Sequence, residues 1–210
     1  MNLIVIGAGG HGKVVIAAAR AAGRDVIRVL DDDPFRIGSE FCGLAVEGPI
    51  KSALTNSAEA EVVVAIGDNR ARSHLVASIG LPFATIVHPF SWIASDVKLE
   101  EGTVVFAGAV VQPGARIGRH CVLNTSCSVD HECTLGDFSQ IAPGAHIAGG
   151  VKIGEGAFIG MGANVIQTLE VGSWSTVGAG AVVVKNVPSG VVVKGVPARP
   201  NEQSQHRVPI

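Results

Sequence analysis

One spacing governs the second half of this chain. From Val87 to Val183 an isoleucine, leucine or valine stands at every sixth position, through Ile93, Leu99, Val105, Val111, Ile117, Leu123, Val129, Leu135, Ile141, Ile147, Ile153, Ile159, Val165, Val171 and Val177, without one insertion. Four places after these residues the side chain is small or β-branched, as at Thr103, Ala109, Ala115, Ser139, Ala145, Ala157, Ala163 and Ser175, with Leu169 the bulky exception. A helix would scatter such positions around its surface. A hexad repeat instead marks a parallel β-helix. Three hexads close one triangular coil, with the aliphatic side chain pointing inward and the small residue letting the chain close beneath it. Coils stack about 4.8 Å apart, as neighbouring strands do, so positions i and i+18 lie above one another.

The third place after each aliphatic residue is glycine at 102, 108, 114, 144, 150, 156, 162 and 180, which marks the corners where the backbone turns sharply. In the hexad of Val129 the corner pair is His131-Glu132, with Asp130 beside it and the polar "LNTS" of 123–126 preceding it. Two solvated surface residues are one reading, and an imidazole and carboxylate placed for chemistry are the other. Adjacent residues on a regular strand face opposite ways, so a direct contact between them depends on the corner geometry. Cys121, Cys127 and Cys133 fall on the small inward position and read as core residues, with an acyl-cysteine intermediate as the remote alternative.

Residues 1–85 follow another rhythm. Strands are expected over 3–7 ("LIVIG"), 25–33 and 61–67, with helices over 12–22 and 68–79, the second capped by Asp68. Short apolar strands alternating with helices predict a parallel α/β sheet. Gly7, Gly9 and Gly12 stand in G-x-G-x-x-G spacing between the first strand and helix. Asp31 follows Gly12 at the spacing of a ribose-binding carboxylate, about 20 residues on. This is a dinucleotide fingerprint, so an NAD-dependent oxidoreductase is a rival reading. The α/β part is too short for two mononucleotide halves, and the same features suit a nucleotide sugar: close backbone approach, a helix N-terminus for the pyrophosphate and an acidic hydroxyl acceptor.

A hydrophobic share of 47% and a charged share of 16% argue against disorder, and a net charge of −2 without a basic run argues against nucleic acid. No cysteine pair has C-x-x-C spacing, so neither zinc nor another metal is expected. With no signal peptide and no spanning apolar segment, the expectation is a cytoplasmic protein with reduced thiols and no membrane partner.

"IVIGAGGHGKVV", "LDDD", "AIGDN", "VLNTSCSVDHECTLGDFSQIAPGAHIAGGVKIGEGAFIG" and "KGVPAR" together resemble the sialic acid O-acyltransferase type family of hexapeptide-repeat enzymes. That family includes N-acetyltransferases of nucleotide-linked 4-amino sugars such as the bacillosamine and perosamine enzymes. The resemblance runs from residue 1 to about 200 and implies an α/β (Rossmann-like) nucleotide-sugar-binding domain over 1–85 and a left-handed parallel β-helix acetyltransferase domain over 86–200. A loose tail over 201–210 completes the expected organisation. It implies a cytoplasmic homotrimer using acetyl-CoA in glycan biosynthesis, with the donor in a groove between subunits. His131 would be the general base and Glu132 the carboxylate supporting it. Gly9, Gly10, His11, Asp31, Asp32 and Gly67 would bind the sugar nucleotide, and Gln140, Met161 and Ala179 would contact acetyl-CoA. Where the bacillosamine enzyme has histidine, this chain has Gln140. Met161 and Ala179 stand one coil apart and stack on one corner with Pro143; otherwise Met161 is ordinary surface filler. Asp33 reads as a loop residue, and His74, His88, His120 and His146 have no matching role. O-acetylation of a sialic acid and a non-catalytic sugar-nucleotide scaffold are the remaining alternatives.

Overall fold

The computed structural model describes residues 2–54 and 60–200, so the tail expected over 201–210 lies outside the described residues. The chain divides into two compact units, 1–89 and 90–210.

In the first unit β1 (Asn2–Ile6) is a buried inner strand, with Leu3, Val5 and Ile6 fully enclosed. It pairs in parallel with β2 (Asp25–Leu30) and β5 (Ala60–Val64). Two further strands, β3 (Glu40–Phe41) and β4 (Leu44–Glu47), extend the order to β3-β4-β2-β1-β5. The β3–β4 pair is antiparallel, so the sheet is not wholly parallel as expected. Its two-residue turn, Cys42-Gly43, has both φ angles positive, 53° and 84°, which suits the twist of a tight hairpin. Helix α1 (Gly10–Ala21) starts two residues before Gly12 and ends where Gly23, at φ 72°, donates to the Arg20 carbonyl while Arg24 donates to that of Ala19. A short α2 (Ile50–Ala53) follows β4, and Asp68 caps α3 (Asn69–Val76) by accepting from the Ala71 N–H at 2.7 Å. The second strand stops at Leu30 and does not run to 33. The next carboxylates take backbone N–H groups themselves, mostly from residues distant in sequence: Asp31 those of Ala8 and Asp33, and Asp32 that of Ile50.

The second unit is a solenoid of short strands, nearly all of two residues, arranged in three sheets and parallel except where Arg199–Pro200 pairs antiparallel with Val192–Lys194. Val111 pairs with Val129, which pairs with Ile147, and Leu123 with Ile141, which pairs with Ile159, each one coil on. Val105, Leu123, Ile141, Ile159 and Val177 are fully buried, as are the small residues Ala109, Ala145 and Ala163. Leu169, the bulky exception, is only half-buried. Burying each large aliphatic side chain stabilises the prism by roughly 1.5–3 kcal/mol, which explains why the register tolerates no slip.

Most corners adopt left-handed backbone, at glycines such as Gly114 (φ 76°) and Gly150 (φ 69°), but also at His120, Ser126, Glu132, Phe138, Thr168 and Trp174. The loss of glycine at 132 is therefore no mark of function, since five other corners do the same. At one edge the replacements form a column. The ring of His120 covers the Cα of Gly102 and stacks on Phe138, with centroids 5.2 Å apart and planes 7° apart, and the Trp174 ring covers Gly156.

Candidate active site

The geometry of the Val129 corner brings His131 and Glu132 together. Nδ1 of His131 lies 3.5 Å from Oε2 of Glu132, and both side chains are largely exposed, 59% and 78%. That separation is an electrostatic pairing and is longer than an ordinary N–H···O hydrogen bond. Asp130 contributes differently: its Oδ1 accepts from the His131 N–H at 2.7 Å, while the His131 carbonyl accepts from Gly150 one coil above. The backbone on both sides of the imidazole is thus fixed, with Nδ1 turned toward the carboxylate. A histidine so held can take a proton at its other nitrogen.

The solenoid's three cysteines lie inside the prism, with Cys121, Cys127 and Cys133 at most 1% exposed. Burial pushes the Cys127 thiol up to about 12 and also raises that of Cys133. A thiol that stays protonated is a poor nucleophile. Cys127→Ala is expected to keep turnover within about threefold of wild type while costing some thermal stability through the cavity it leaves. Near-complete loss of activity, with an acetylated protein isolable from wild type, would instead mean a covalent route.

The six residues expected to bind the sugar nucleotide, Gly9, Gly10, His11, Asp31, Asp32 and Gly67, all line one cavity of about 710 Å³ in the first unit. Its floor is the glycine loop, and both backbone groups of Ala8 are held by side chains. The Ala8 N–H donates to Asp31 at 2.7 Å, and its carbonyl accepts from the Arg36 guanidinium. Arg36 is itself anchored to Asp33, whose other oxygen accepts from Phe35. Asp33 is thus the loop residue expected, although it too borders the cavity. The carboxylate that a dinucleotide fingerprint aims at a ribose here braces the glycine loop. Arg36 and His74 line the cavity as well, and sequence reading missed both. The signal for Arg36 was its place three residues after the "DDD" run.

His11 opens α1 facing Gly67, whose absent Cβ would lie 4.0 Å from that of His11. Burial, and then the nearby positive charge of Arg72, lower its pKa to about 4, so the ring is neutral at physiological pH. Because the unfolded chain binds this proton near 6.5 and the folded chain only near 4, His11 stabilises the fold fully above pH 6.5 and loses that contribution as pH falls toward about 4. The melting temperature is therefore expected to drop across that window, and less steeply in His11→Gln. Parallel slopes would contradict the assignment.

Met161 (61% exposed) and Ala179 share one outer corner, where the carbonyl of Met161 accepts from Gly180. Gln140 does not join them in exposure. It sits in a strand between Val122 and Phe158, 8% exposed, with Oε1 buried and unpartnered among the described residues. Among those residues there is also no group of three or more His, Cys, Asp or Glu able to hold a metal, and no helix long and apolar enough to cross a membrane.

Known proteins combine these features. Residues 2–79 match the PglD N-terminal domain family, and 132–167 match the bacterial transferase hexapeptide (six repeats). The chain superposes on the GDP-perosamine N-acetyltransferase of Caulobacter crescentus, solved as a histidine-to-alanine mutant with CoA and GDP-perosamine, with a TM-score of 0.91 and 36% identity over 97% of this chain and 98% of that one. The chain belongs to this N-acetyltransferase family. The acetyltransferase domain of PglB from Neisseria gonorrhoeae FA1090 is another similar structure, with a TM-score of 0.88 and 40% identity over 95% of this chain and 99% of that one. UDP-N-acetylbacillosamine N-acetyltransferase of Bacillus subtilis (strain 168) is 35% identical over 115 residues, 50% of this chain, and the match spans 51% of that relative's length. The N-acetyltransferase family is a narrower assignment than the sialic acid O-acyltransferase label. Membership also assigns the solenoid its hand: it is the left-handed parallel β-helix of the hexapeptide transferases.

Proposed function

We propose that this protein transfers acetyl from acetyl-CoA to the 4-amino group of a nucleotide-linked amino deoxy sugar, in the biosynthesis of a surface glycan. The observation that carries this reading is the exposed His131–Glu132 pair on a hexapeptide solenoid, in a chain that matches a perosamine N-acetyltransferase over nearly its full length. Residues 1–85 hold the sugar nucleotide, with Gly9, Gly10, His11, Asp31, Asp32 and Gly67 around it. Residues 86–200 carry out the transfer. His131 takes a proton from the amine as the nitrogen attacks the thioester carbonyl. The tetrahedral intermediate then collapses, the C–S bond breaks, and the CoA thiolate leaves and recovers the proton from His131. Glu132 steadies the imidazolium formed on the way.

The column of Met161 and Ala179 lies parallel to the prism axis, which suits an extended pantetheine arm. A groove open along a corner needs a second wall, and a homotrimer provides one. Sedimentation is expected to give a trimer, whereas a fully active monomer would refute it. Reduced cysteines and the use of acetyl-CoA fit the cytoplasm. A thermal-shift screen with UDP-, GDP- and dTDP-linked amino sugars tests the substrate class. One of the three should raise the melting temperature, and stabilisation by NAD alone would favour an oxidoreductase instead.

A further inference from the structure

One coil above His131 the corner is bare. Residue 149 stands there, and an ideal Cβ on it would lie 2.5 Å from Cε1 and 2.5 Å from Nε2 of His131, and 3.1 Å from its Cδ2. These are its three nearest neighbours. The glycine is not needed by the backbone, because Gly149 is absent from the positive-φ residues, whereas its neighbour Gly150 turns the corner at 69°. The same place at other corners carries Arg119, Thr125, Glu155 or Met161. What excludes a side chain at 149 is the imidazole itself.

We propose that Gly149 is a positioning residue for His131, a seat that supports the Nε2 edge of the ring while Glu132 flanks the Nδ1 edge. The proposal rests on His131 being the base. A methyl group at 149 would occupy the seat and swing the ring away, taking the nitrogen that receives the proton with it. The displaced atoms are the free end of an exposed side chain, so the coil itself is undisturbed.

The test is a double-mutant cycle of Gly149→Ala and His131→Asn. Gly149→Ala should fold, keep its KM for the sugar nucleotide, lower kcat about tenfold or more, and move the imidazole resonances of His131. In the His131→Asn background the same substitution should change kcat by less than about twofold, because the ring it displaces is gone. Wild-type kcat in Gly149→Ala, unmoved resonances, or an equal cost in both backgrounds would each overturn the proposal. If His131→Asn alone retains activity, the base assignment fails; moved resonances in Gly149→Ala would still uphold the seat. Should Gly149→Ala fail to fold, His131→Ala/Gly149→Ala must fold, since every remaining neighbour of the new methyl stands at 3.1 Å or more; if it does not, the seat is not what glycine provides.

Discussion

Replacing His131 by asparagine is expected to leave the protein folded and lower kcat by about 10² to 10⁴, the range for loss of a general base. The side chain is 59% exposed and supports no core packing, so a stability effect cannot imitate the loss. Affinity for the sugar nucleotide should be nearly unchanged, because the residues assigned to it belong to the first unit. The change therefore falls on kcat and kcat/KM together. A base must be unprotonated to act, so kcat/KM of the wild type should fall on the acid side and that limb should flatten in the variant. Glu132→Gln should cost less, since the carboxylate lies 3.5 Å from the ring without a hydrogen bond and takes no proton in the reaction. Wild-type kcat in a folded His131→Asn protein, with chemistry rate-limiting, would remove His131 from the mechanism.

Gly12→Ala should act in the first unit, on binding. A Cβ at Gly12 would lie 2.1 Å from the carbonyl oxygen of Gly7, a backbone atom that cannot swing aside. Gly7 is itself fixed, at φ 116° and with its own missing Cβ 2.7 Å from the Ala65 carbonyl. The methyl must therefore push α1 off the glycine loop, which costs about 1–3 kcal/mol or more and unmakes the floor of the cavity. Sugar-nucleotide affinity should fall more than about tenfold. Gly10→Ala is the matched control for folding, because its Cβ would meet nothing within 4 Å. Equal affinity in wild type and Gly12→Ala would mean that the loop does not hold the ligand.

The solenoid was legible in the sequence because each coil repeats one physical demand, and seventeen aliphatic positions in register leave little freedom for another fold. The parallel core of the first unit was legible for a similar reason, in the apolar run Leu3 to Ile6 of β1. The hairpin at Cys42-Gly43 was not, since cysteine is a poor signal for positive φ. The end of β2 was missed because it depends on where carboxylates find donors: Asp31 reaches the N–H of Ala8, distant in sequence. The same kind of long-range contact hid Arg36. The His131–Glu132 pair was visible, but the glycine missing at 132 carries no weight, because left-handed backbone at non-glycine residues is a property of these corners and no mark of a site. The seat at Gly149 leaves a trace in the coil spacing alone, where one corner carries two adjacent glycines directly above a histidine.

Transfer to the 4-amino group is tested by following free CoA released from acetyl-CoA with nucleotide-linked 4-amino sugars, alongside matched sugars bearing a 4-hydroxyl. CoA release should depend on the amine, with one acetamide formed per CoA and none formed by His131→Asn beyond a small residual rate. Acetylation of the hydroxyl sugar in preference to the amine, or binding of the amino sugar with no CoA released, would contradict it.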